Sequence, residues 1–332
     1  MKLLVTGGAG FIGSNFIRHV FATRSDWSIV NLDKLTYAGN LDNLADITGD
    51  PAYLARYSFV HGDIADRDLV NRLFEVERPD VVVNFAAESH VDRSILDPAP
   101  FIETNIKGTQ VLLEAARKYG VGRFIQISTD EVYGSLGPDD PPFTEESPLA
   151  PNSPYSASKA AADMMARAYF KTYGVPTIIT RCTNNYGPYQ YPEKFIPVMI
   201  LNALQNKPLP IYGDGQNIRD WIHVEDHCRA IVLLIERGRA GEVYNIGANC
   251  EWRNIDLAKA ILKVTGRPES LIQFVPDRLG HDRRYALDAA KLKDETGWDA
   301  RYLVQDVMSA LVSWYQDNAS RWQKLLDKLS AS

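Results

Sequence analysis

A glycine-rich turn near the start of this 332-residue chain constrains its fold more than any other feature. Gly7, Gly10 and Gly13 stand between a short apolar run and a helical pattern. Glycine permits a sharp turn and a close backbone approach to a diphosphate, and the free amides at a helix N-terminus attract anions. Asp33 lies 20 residues beyond Gly13, which is the usual distance to an acid that binds an adenosine ribose. This combination predicts a dinucleotide-binding unit; the alternative is a structural turn followed by a surface aspartate.

Strand and helix patterns alternate along the first half of the chain. The predicted strands are 3–6, 28–32, 57–61, 81–86, 124–128 and 177–180, and the predicted helices are 11–22, 66–77, 101–119 and 155–173. Such alternation predicts an α/β fold with a Rossmann-like, doubly wound parallel sheet. Proline and glycine interrupt shorter elements later on, which predicts a first domain at 1–185 and a smaller, mixed substrate domain at 186–332. The segment 243–247 is compatible with a strand that returns to the main sheet.

Composition narrows the class of partner and compartment. The net charge is −6 and no run of basic residues occurs, so we expect neither nucleic acid nor a membrane as partner. The chain also lacks the apolar run of about 18 residues that a membrane span needs. Cys182, Cys228 and Cys250 show no metal-binding spacing, so we expect reduced thiols, no metal site and a cytoplasmic protein.

A hydroxyl and two carboxyl groups follow the predicted strand at 124–128. Thr129, Asp130 and Glu131 would therefore lie at the carboxyl edge of the sheet, where ligands bind in open α/β folds. Two adjacent carboxyl groups suit a general acid and a general base, provided that their environments separate their pKa values. The alternative is a polar loop with a capping threonine and solvated acids.

Tyr155 and Lys159 stand four positions apart on a predicted helix and hence on one face. A nearby ammonium favours the phenolate, so we expect a lowered pKa for Tyr155 and a role as base near neutral pH. The spacing is common, and an ordinary surface pair is the alternative. Together with the glycine-rich turn, the pair predicts oxidation of a secondary alcohol by NAD, and the adjacent carboxyl groups add an elimination of water.

The arrangement resembles the extended short-chain dehydrogenase/reductase superfamily, to which Gly62-Asp63-Ile64 and the segment 84–89 also correspond. The resemblance narrows to the dTDP-glucose 4,6-dehydratase family on long segments along nearly the whole chain. These segments are 33–40, 86–94, 128–134, 182–189, 192–194, 209–213, 219–221 and 280–285.

The resemblance implies two sets of binding residues. The residues implied to contact NAD are Gly7, Gly10, Phe11, Ile12, Gly13, Asp33, Lys34, Leu35, Thr36, Asp63, Ile64, Phe85, Ala86, Ala87, Ser89, Thr104, Tyr155, Lys159 and Asn185. The residues implied to contact dTDP-glucose are Ser89, Thr129, Asn184, Lys194, Phe195, Pro210, Tyr212, Arg219, Asn254, Asp277, Arg278 and His281.

The resemblance also implies catalytic roles. Thr129 would orient the sugar hydroxyl, Tyr155 would deprotonate the 4-hydroxyl during hydride transfer from C4 to NAD, and Lys159 would hold the nicotinamide ribose. Glu131 would remove the C5 proton and Asp130 would protonate the departing C6 hydroxyl. Hydride return to C6 would then give dTDP-4-keto-6-deoxy-glucose. A homodimer, with the helices 101–119 and 155–173 in contact, is implied as well.

Three alternatives remain open at this point. They are another NAD-dependent nucleotide-sugar 4,6-dehydratase, a UDP-hexose 4-epimerase and a non-catalytic NAD-binding protein. Asp130 discriminates most, because an epimerase has no use for the acid pair and GDP-mannose dehydratases typically carry a smaller hydroxyl residue there. The choice of thymidine over uridine rests on the resemblance alone.

Overall fold

The computed structural model describes residues 1–331, with side chains described through residue 327. The strands, in chain order, are β1 (Lys2–Thr6), β2 (Ser28–Asp33), β3 (Tyr57–His61), β4 (Val81–Asn84), β5 (Arg123–Thr129), β6 (Thr177–Cys182), β7 (Asn184–Tyr186), β8 (Leu209–Tyr212), β9 (Ile218–His223), β10 (Val243–Ile246), β11 (Glu251–Arg253) and β12 (Ile272–Val275). Each strand predicted in the first half is present, with ends that differ by at most two residues.

Helices connect most of these strands. They are α1 (Phe11–Thr23), α2 (Ala45–Thr48), α3 (Pro51–Leu54), α4 (Arg67–Glu77), α5 (Val91–Leu96), α6 (Ala99–Phe101), α7 (Thr109–Tyr119), α8 (Pro154–Tyr173), α9 (Phe195–Leu204), α10 (Val224–Arg237), α11 (Asn254–Thr265), α12 (Ala290–Thr296), α13 (Val304–Asp317) and α14 (Ala319–Ala331). Short 3-10 turns lie at Leu41–Leu44, Asp130–Tyr133 and Glu269–Leu271. Among the described residues, none of the helices has both the length and the apolar character needed to cross a membrane.

The main sheet has seven parallel strands in the order β10-β6-β5-β4-β1-β2-β3. The chain starts at β1, runs outward to β3, and then returns to pair β4 on the other side of β1. A crevice opens where the strand order reverses, outside the carboxyl ends of the strands. The prediction of a Rossmann-like, doubly wound parallel sheet is confirmed.

Both faces of this sheet are buried, which explains why its strands are continuous apolar runs. Leu3 and Val5 point to a core that includes residues of α1 and α10. Leu4, between them, points to a second core on the opposite face, formed with residues of α4, α7 and α8. Successive side chains of a strand alternate between its faces, so one short run supplies both cores.

The remaining strands form two smaller sheets. The order β11-β9-β7 is mixed, because β11 and β9 are antiparallel whereas β7 and β9 are parallel, and β8 pairs with β12. A separate apolar core, with Trp221, Met308 and Trp322 among its members, packs around them.

The division at residue 185 stays a prediction. Strand β10 pairs with β6, so the return of this segment to the main sheet is confirmed. Side chains of α10, together with Leu292 and Trp298, also pack into the first core. Residue 332, the predicted end of the second domain, lies outside the described residues.

The predicted helix at 101–119 is wrong in one respect, because Ile102–Gly108 forms a π-helical segment before α7 begins. The hydrogen bonds of Asn105 explain where this π-helical segment forms. Its side-chain amide donates to the Glu88 carbonyl and to the Ser158 hydroxyl, and its Oδ1 accepts from the Glu88 amide. A π-helical turn often marks a functional site, and this one ties the loop after β4 to the second turn of α8.

Candidate active site

A cleft of about 320 Å³ runs along the carboxyl edge of the main sheet. The turns after β1, β2, β3, β4 and β5 border it, together with the segment 182–194. The predicted site residues that line it are Gly7, Gly10, Phe11, Ile12, Gly13, Asp33, Lys34, Thr36, Asp63, Ile64, Phe85, Ala86, Ala87, Ser89, Thr104, Thr129, Asp130, Glu131, Tyr155, Lys159, Asn184, Asn185 and Lys194. One cleft therefore brings together residues from both halves of the chain.

The glycine-rich turn requires its glycines. Gly7 has a φ of +70°, and a Cβ on Gly13 would lie 2.3 Å from the Gly7 carbonyl oxygen. Helix α1 begins after Gly10 with no side chain capping its first amides. Because these amides and the positive end of the helix border the cleft, the amides can donate hydrogen bonds to a bound diphosphate.

Asp33 ends β2 as predicted and is only 8% exposed. Its two carboxyl oxygens accept the amides of Ala9 and Leu35, at 2.9 and 2.8 Å. Burial raises the pKa of Asp33, and these two amide hydrogen bonds oppose the shift. Each oxygen keeps a second lone pair for the hydroxyls of a ribose. With the open helix terminus beside it, this half of the cleft fits a dinucleotide such as NAD.

The acid pair begins where β5 ends. Thr129 caps the 3-10 turn Asp130–Tyr133, because its hydroxyl oxygen accepts the Glu131 amide at 3.3 Å. The same hydroxyl donates to Asp130 Oδ1 at 3.2 Å. Asp130 Oδ2 is buried and makes no hydrogen bond among the described residues. The turn thus places both carboxyl groups in the cleft and leaves one oxygen of Asp130 without a partner.

The two carboxyl groups have different electrostatic surroundings. Burial, followed by the neighbouring Glu131 carboxylate, raises the pKa of Asp130 well above its usual range, and the cation that opposes this shift is Arg219. Burial also raises the pKa of Glu131, but Arg278, Arg219 and Lys194 all oppose the shift. Asp130 is therefore the member of the pair that is favoured in the protonated form, and Glu131 is the member favoured as carboxylate.

Tyr155 and Lys159 lie in the first two turns of α8, and both are buried. Lys159 Nζ donates to the Ile127 carbonyl at 2.6 Å. The expected lowering of the Tyr155 pKa is wrong for the protein without ligands. Burial and then the Glu131 carboxylate raise the pKa of Tyr155 well above its usual value, although a hydrogen bond with Thr129 opposes this shift. Desolvation outweighs a single nearby ammonium because a buried phenolate loses its hydration.

Three predicted cationic residues from the second half converge on Glu131. Lys194 Nζ donates to the Ser89 carbonyl at 2.9 Å, across the cleft. Arg219 is held by the carbonyls of Ile218 and Asp282, at 2.7 and 2.9 Å. These buried or half-buried cations suit a diphosphate, because charge-assisted hydrogen bonds strengthen away from water.

Nine of the predicted site residues do not line this cleft. They are Leu35, Phe195, Pro210, Tyr212, Arg219, Asn254, Asp277, Arg278 and His281. Leu35 contributes to the turn after β2 through its main chain. Its φ is +54°, and its amide donates to the Asp33 carboxylate. The others belong to the second half, where His281 Nδ1 lies 2.6 Å from Asp277 Oδ1 and the His281 ring lies 6.1 Å from that of Tyr212. Their substrate-binding role stays a prediction.

Several cleft residues were not among the predicted site residues. They are Leu32, Ala38, Gly39, Gly62, Glu88, Ile127, Ser128, Cys182, Thr183, Gln190, Tyr191 and Glu193. The sequence does carry a signal for Cys182 and Thr183, because they follow the strand predicted at 177–180, which pairs with β5, and so lie at the same edge of the sheet. No such signal marks Glu193. Among the described residues, no cluster of three or more His, Cys, Asp or Glu side chains could hold a metal ion.

Known proteins resemble this chain along nearly its whole length. The sequence model of the family described as GDP-mannose 4,6 dehydratase matches residues 4–311. A dTDP-glucose 4,6-dehydratase of Neisseria meningitidis serogroup B is 51% identical, over 98% of this chain and 96% of its own. The dTDP-glucose 4,6-dehydratase of Escherichia coli is 49% identical, over 98% of this chain and 97% of its own.

Among solved structures, a dTDP-glucose 4,6-dehydratase resembles this chain more than a UDP-glucose 4-epimerase does. A dTDP-glucose 4,6-dehydratase of Streptomyces venezuelae with NAD bound has a TM-score of 0.93 and 51% identity, covering 98% of this chain and 100% of that one. A UDP-glucose 4-epimerase of Thermotoga maritima, solved with UDP-glucose, has a TM-score of 0.88 and 31% identity, covering 96% and 100%. The backbone is thus common to both kinds of enzyme, so the fold alone does not separate them.

Proposed function

The chain belongs to the dTDP-glucose 4,6-dehydratase family, and we propose that its cleft converts dTDP-glucose into dTDP-4-keto-6-deoxy-glucose and water. The observation that carries the proposal is the unequal pair of carboxyl groups, Asp130 and Glu131. An oxidation alone needs neither of them. Removal of water needs a base for a C–H proton and an acid for the departing hydroxyl, and these two residues supply one of each.

We assign the first proton transfer to Tyr155, which receives the proton of the sugar 4-hydroxyl as a phenolate, a form that the Lys159 ammonium and the positive charge of bound NAD both favour. Thr129 lies between Tyr155 and Asp130 and directs its hydroxyl to Asp130 Oδ1. The hydrogen bond from Lys159 Nζ to the Ile127 carbonyl places the ammonium group in the same part of the cleft. NAD, when bound in the adjacent half of the cleft, supplies the hydride acceptor at C4 and later the hydride donor at C6.

We assign the elimination to the acid pair. A ketone at C4 makes the C5 proton acidic, and the Glu131 carboxylate removes it. Arg278, Arg219 and Lys194 favour the ionised form of Glu131 and so keep it ready as a base. Asp130, whose buried position favours its protonated form, gives its proton to the leaving C6 hydroxyl, and the proton held by Glu131 returns to C5 when the hydride returns to C6. This division follows from the environments of the two groups, which push their pKa values apart.

The remaining predicted contacts belong to the same proposal. We assign the diphosphate of the substrate to Lys194, Arg219 and Arg278. The residues assigned to the nucleoside and sugar are Ser89, Asn184, Phe195, Pro210, Tyr212, Asn254, Asp277 and His281. Asn184 and Asn254 each keep a buried side-chain oxygen that makes no hydrogen bond among the described residues. A bound ligand with donors would satisfy both oxygens.

The purified protein, with no NAD added, is expected to remove one water from dTDP-glucose and to leave UDP-glucose and GDP-mannose unchanged. The expectation holds because NAD is regenerated in each cycle and stays in the cleft between turnovers. Mass spectrometry of the three separate incubations checks it. Loss of water from dTDP-glucose alone supports the activity, the resident cofactor and the choice of nucleotide together. An unchanged mass in all three incubations would overturn the roles of Asp130 and Glu131.

A UDP-hexose 4-epimerase is the second candidate, and the fold of the Thermotoga maritima enzyme favours it. Epimerisation needs Tyr155 and Lys159 but leaves the acid pair without a task. Its product has the mass of its substrate, so the same incubations need chromatographic separation of UDP-galactose from UDP-glucose. Formation of UDP-galactose without loss of water would establish the epimerase instead.

We also propose a homodimer, formed through the face that α5, the π-helical segment and α8 share. Three large apolar side chains are exposed on these elements. Leu96 is 85% exposed, Ile102 is 55% exposed and Met164 is 58% exposed. Burial of such side chains against a second copy would stabilise the pair by removing apolar area from water.

Met164→Arg is expected to convert the dimer into a monomer, because an arginine cannot be buried there without a partner. Val76→Arg is the matched control, since Val76 is 76% exposed on α4, which lies apart from this face. Light scattering after size-exclusion chromatography measures the mass. A Met164→Arg protein that keeps the mass of the wild-type dimer would refute this interface.

The location we propose is the cytoplasm. NAD and nucleotide sugars are metabolites of the cytoplasm, so this proposal depends on the proposed dehydration of dTDP-glucose. Cys182, Cys228 and Cys250 are buried free thiols, which fits a reducing environment.

A further inference from the structure

Asp163 is a buried carboxylate to which the proposed reaction assigns no role. It follows Tyr155 and Lys159 on α8 at the same spacing of four residues, so the three side chains lie on one face of the helix. Asp163 is 1% exposed, and Lys159 is 5% exposed. A charge buried to this degree strongly destabilises the folded protein unless another charge compensates it.

One oxygen of Asp163 has a defined partner. Arg181 on β6 donates from Nε to Asp163 Oδ2 at 3.0 Å. Arg181 Nη1 also donates to the Tyr133 hydroxyl at 2.9 Å, and Tyr133 in turn donates to Asn245 Oδ1 at 2.8 Å. This chain of contacts extends away from the cleft and fixes the position of the carboxylate.

The other oxygen is uncommitted. Asp163 Oδ1 is buried and makes no hydrogen bond among the described residues, and the same holds for the Ser128 hydroxyl. Ser128 and Arg181 face each other as paired residues of β5 and β6. Lys159 Nζ is bonded to the carbonyl of Ile127, the residue before Ser128. Two cations, Lys159 and Arg181, therefore approach this buried region, and Asp163 is the carboxylate that α8 places there, one helical turn beyond Lys159 and in contact with Arg181.

We propose that Asp163 is a positioning residue whose carboxylate is the buried counter-charge of the Lys159 ammonium, so that Lys159 stays charged and directed at the cleft. The inference rests on the proposed function, because it concerns the lysine assigned to the cofactor and to Tyr155. It goes beyond that function by assigning a task to a residue that contacts neither substrate nor cofactor.

Electrostatics support the same geometry. Burial lowers the pKa of Lys159, and Asp163 is the first group that opposes this shift. Burial raises the pKa of Asp163, and Arg181, Ser128 and Lys159 oppose it. Cys182 faces Lys159 from β6, with a pKa that burial raises to about 12, so it is a neutral thiol at neutral pH. Asp163 and Cys182 act on Lys159 directly, Arg181 reaches it through Asp163, and Tyr155, Asp130 and Glu131 line the same cleft.

Asp163→Asn tests the proposal through the pH dependence of stability. Without the carboxylate, Lys159 loses its proton at a lower pH in the folded protein, while the unfolded chain still holds this proton up to about pH 10.4. In that window the unfolded state binds more protons, so stability rises with pH. The loss of Tm caused by Asp163→Asn should therefore narrow from pH 7 to pH 10, by about 2–4 °C for each pH unit within the window.

Two further variants separate this effect from a merely structural one. Tyr133→Phe removes a hydrogen bond at the far end of the same network but leaves the carboxylate, so its loss of Tm should stay constant from pH 7 to pH 9, below the pKa of about 10 of a tyrosine in the unfolded chain. In a Lys159→Met background, Asp163→Asn should also cost the same Tm at every pH, because the group that titrates is gone. Turnover of dTDP-glucose should fall in Asp163→Asn and be retained in Tyr133→Phe.

A loss of Tm in Asp163→Asn that stays constant with pH would overturn the proposal. If Asp163→Asn does not fold, Arg181→Met provides the opposite test. In that variant Lys159 is the remaining cation that compensates the Asp163 carboxylate, so Lys159 should hold its proton to a higher pH. The change in stability that accompanies its deprotonation should then occur at a higher pH than in the wild type. An unchanged pH dependence of stability would refute the proposal. The melting curves need no turnover, so a failure of the proposed dehydration in the wild-type protein is recognised separately.

Discussion

Replacing Asp130 with asparagine is expected to slow the loss of water from dTDP-glucose by about 10²- to 10⁴-fold, the usual contribution of a general acid. Asparagine keeps the shape of the side chain and can still accept the hydrogen bond from Thr129. It cannot give a proton to the leaving C6 hydroxyl. Mass spectrometry of the product gives the rate, and binding of dTDP-glucose should change far less than turnover.

The pH dependence of this variant follows from the proton that Asp130 holds. Burial and Glu131 raise the pKa of Asp130 well above its usual range, so the wild-type acid stays protonated as pH rises towards that pKa. Turnover of the wild type should therefore fall on the alkaline side, as Asp130 loses its proton. The residual turnover of Asp130→Asn should lack the part of this fall that comes from Asp130.

Exchange at C5 separates the roles of the two carboxyl groups. In D₂O, dTDP-glucose recovered from Asp130→Asn should contain deuterium at C5, because Glu131 still removes that proton. Recovered substrate from Glu131→Gln should contain none. Asp139→Asn is the control, since it makes the same substitution on an exposed loop. Turnover equal to that of the wild type in Asp130→Asn would remove Asp130 from the mechanism.

Tyr155→Phe is expected to abolish the reaction at its first step, with a loss of about 10²- to 10⁴-fold. Without the phenol no side chain receives the proton of the 4-hydroxyl, so C4 is not oxidised and C5 is not acidified. The product should disappear, and the recovered dTDP-glucose should contain no deuterium at C5. This second result distinguishes Tyr155→Phe from Asp130→Asn, which blocks a later step.

The fold should tolerate this substitution. Phenylalanine preserves the edge contact with Phe101, whose ring centroid lies 6.3 Å from that of Tyr155. It also removes a buried hydroxyl. Tyr173→Phe is the matched control, because Tyr173 ends the same helix and is 55% exposed. Retained C5 exchange in Tyr155→Phe would show that another group acts as the first base.

The framework of the cleft could be predicted because its signals are local. Gly7, Gly10 and Gly13 lie between a strand pattern and a helix pattern, and Asp33 ends the next strand. Parallel strands place their carboxyl ends at one edge, so Thr129, Asp130 and Glu131 were expected beside this turn without knowledge of the tertiary structure. The predicted strands and most helices are confirmed for the same reason, since the periodicity of apolar residues encodes them.

Other features could not be predicted because they depend on contacts distant in sequence. The π-helical segment forms where Asn105 bonds to Glu88 and Ser158, neither of which is local to that helix. The expected pKa of Tyr155 was wrong because the spacing to Lys159 carries no information on burial or on Glu131. The residues Tyr191 and Glu193 come to the cleft from a loop without a strong pattern.

The acid pair shows the division most clearly. The residue pattern alone predicts two adjacent carboxyl groups at the ligand-binding edge of a dinucleotide fold, with a tyrosine and a lysine on one helix face. Which carboxyl group is favoured to hold a proton depends on contacts that form only on folding. Arg278, Arg219 and Lys194, all distant in sequence, oppose the rise in the pKa of Glu131, whereas Arg219 is the one of them that opposes the rise for Asp130, which is also the more buried residue. Charge and hydration act through space, so adjacent residues of similar chemistry acquire opposite roles from their neighbours in the folded protein.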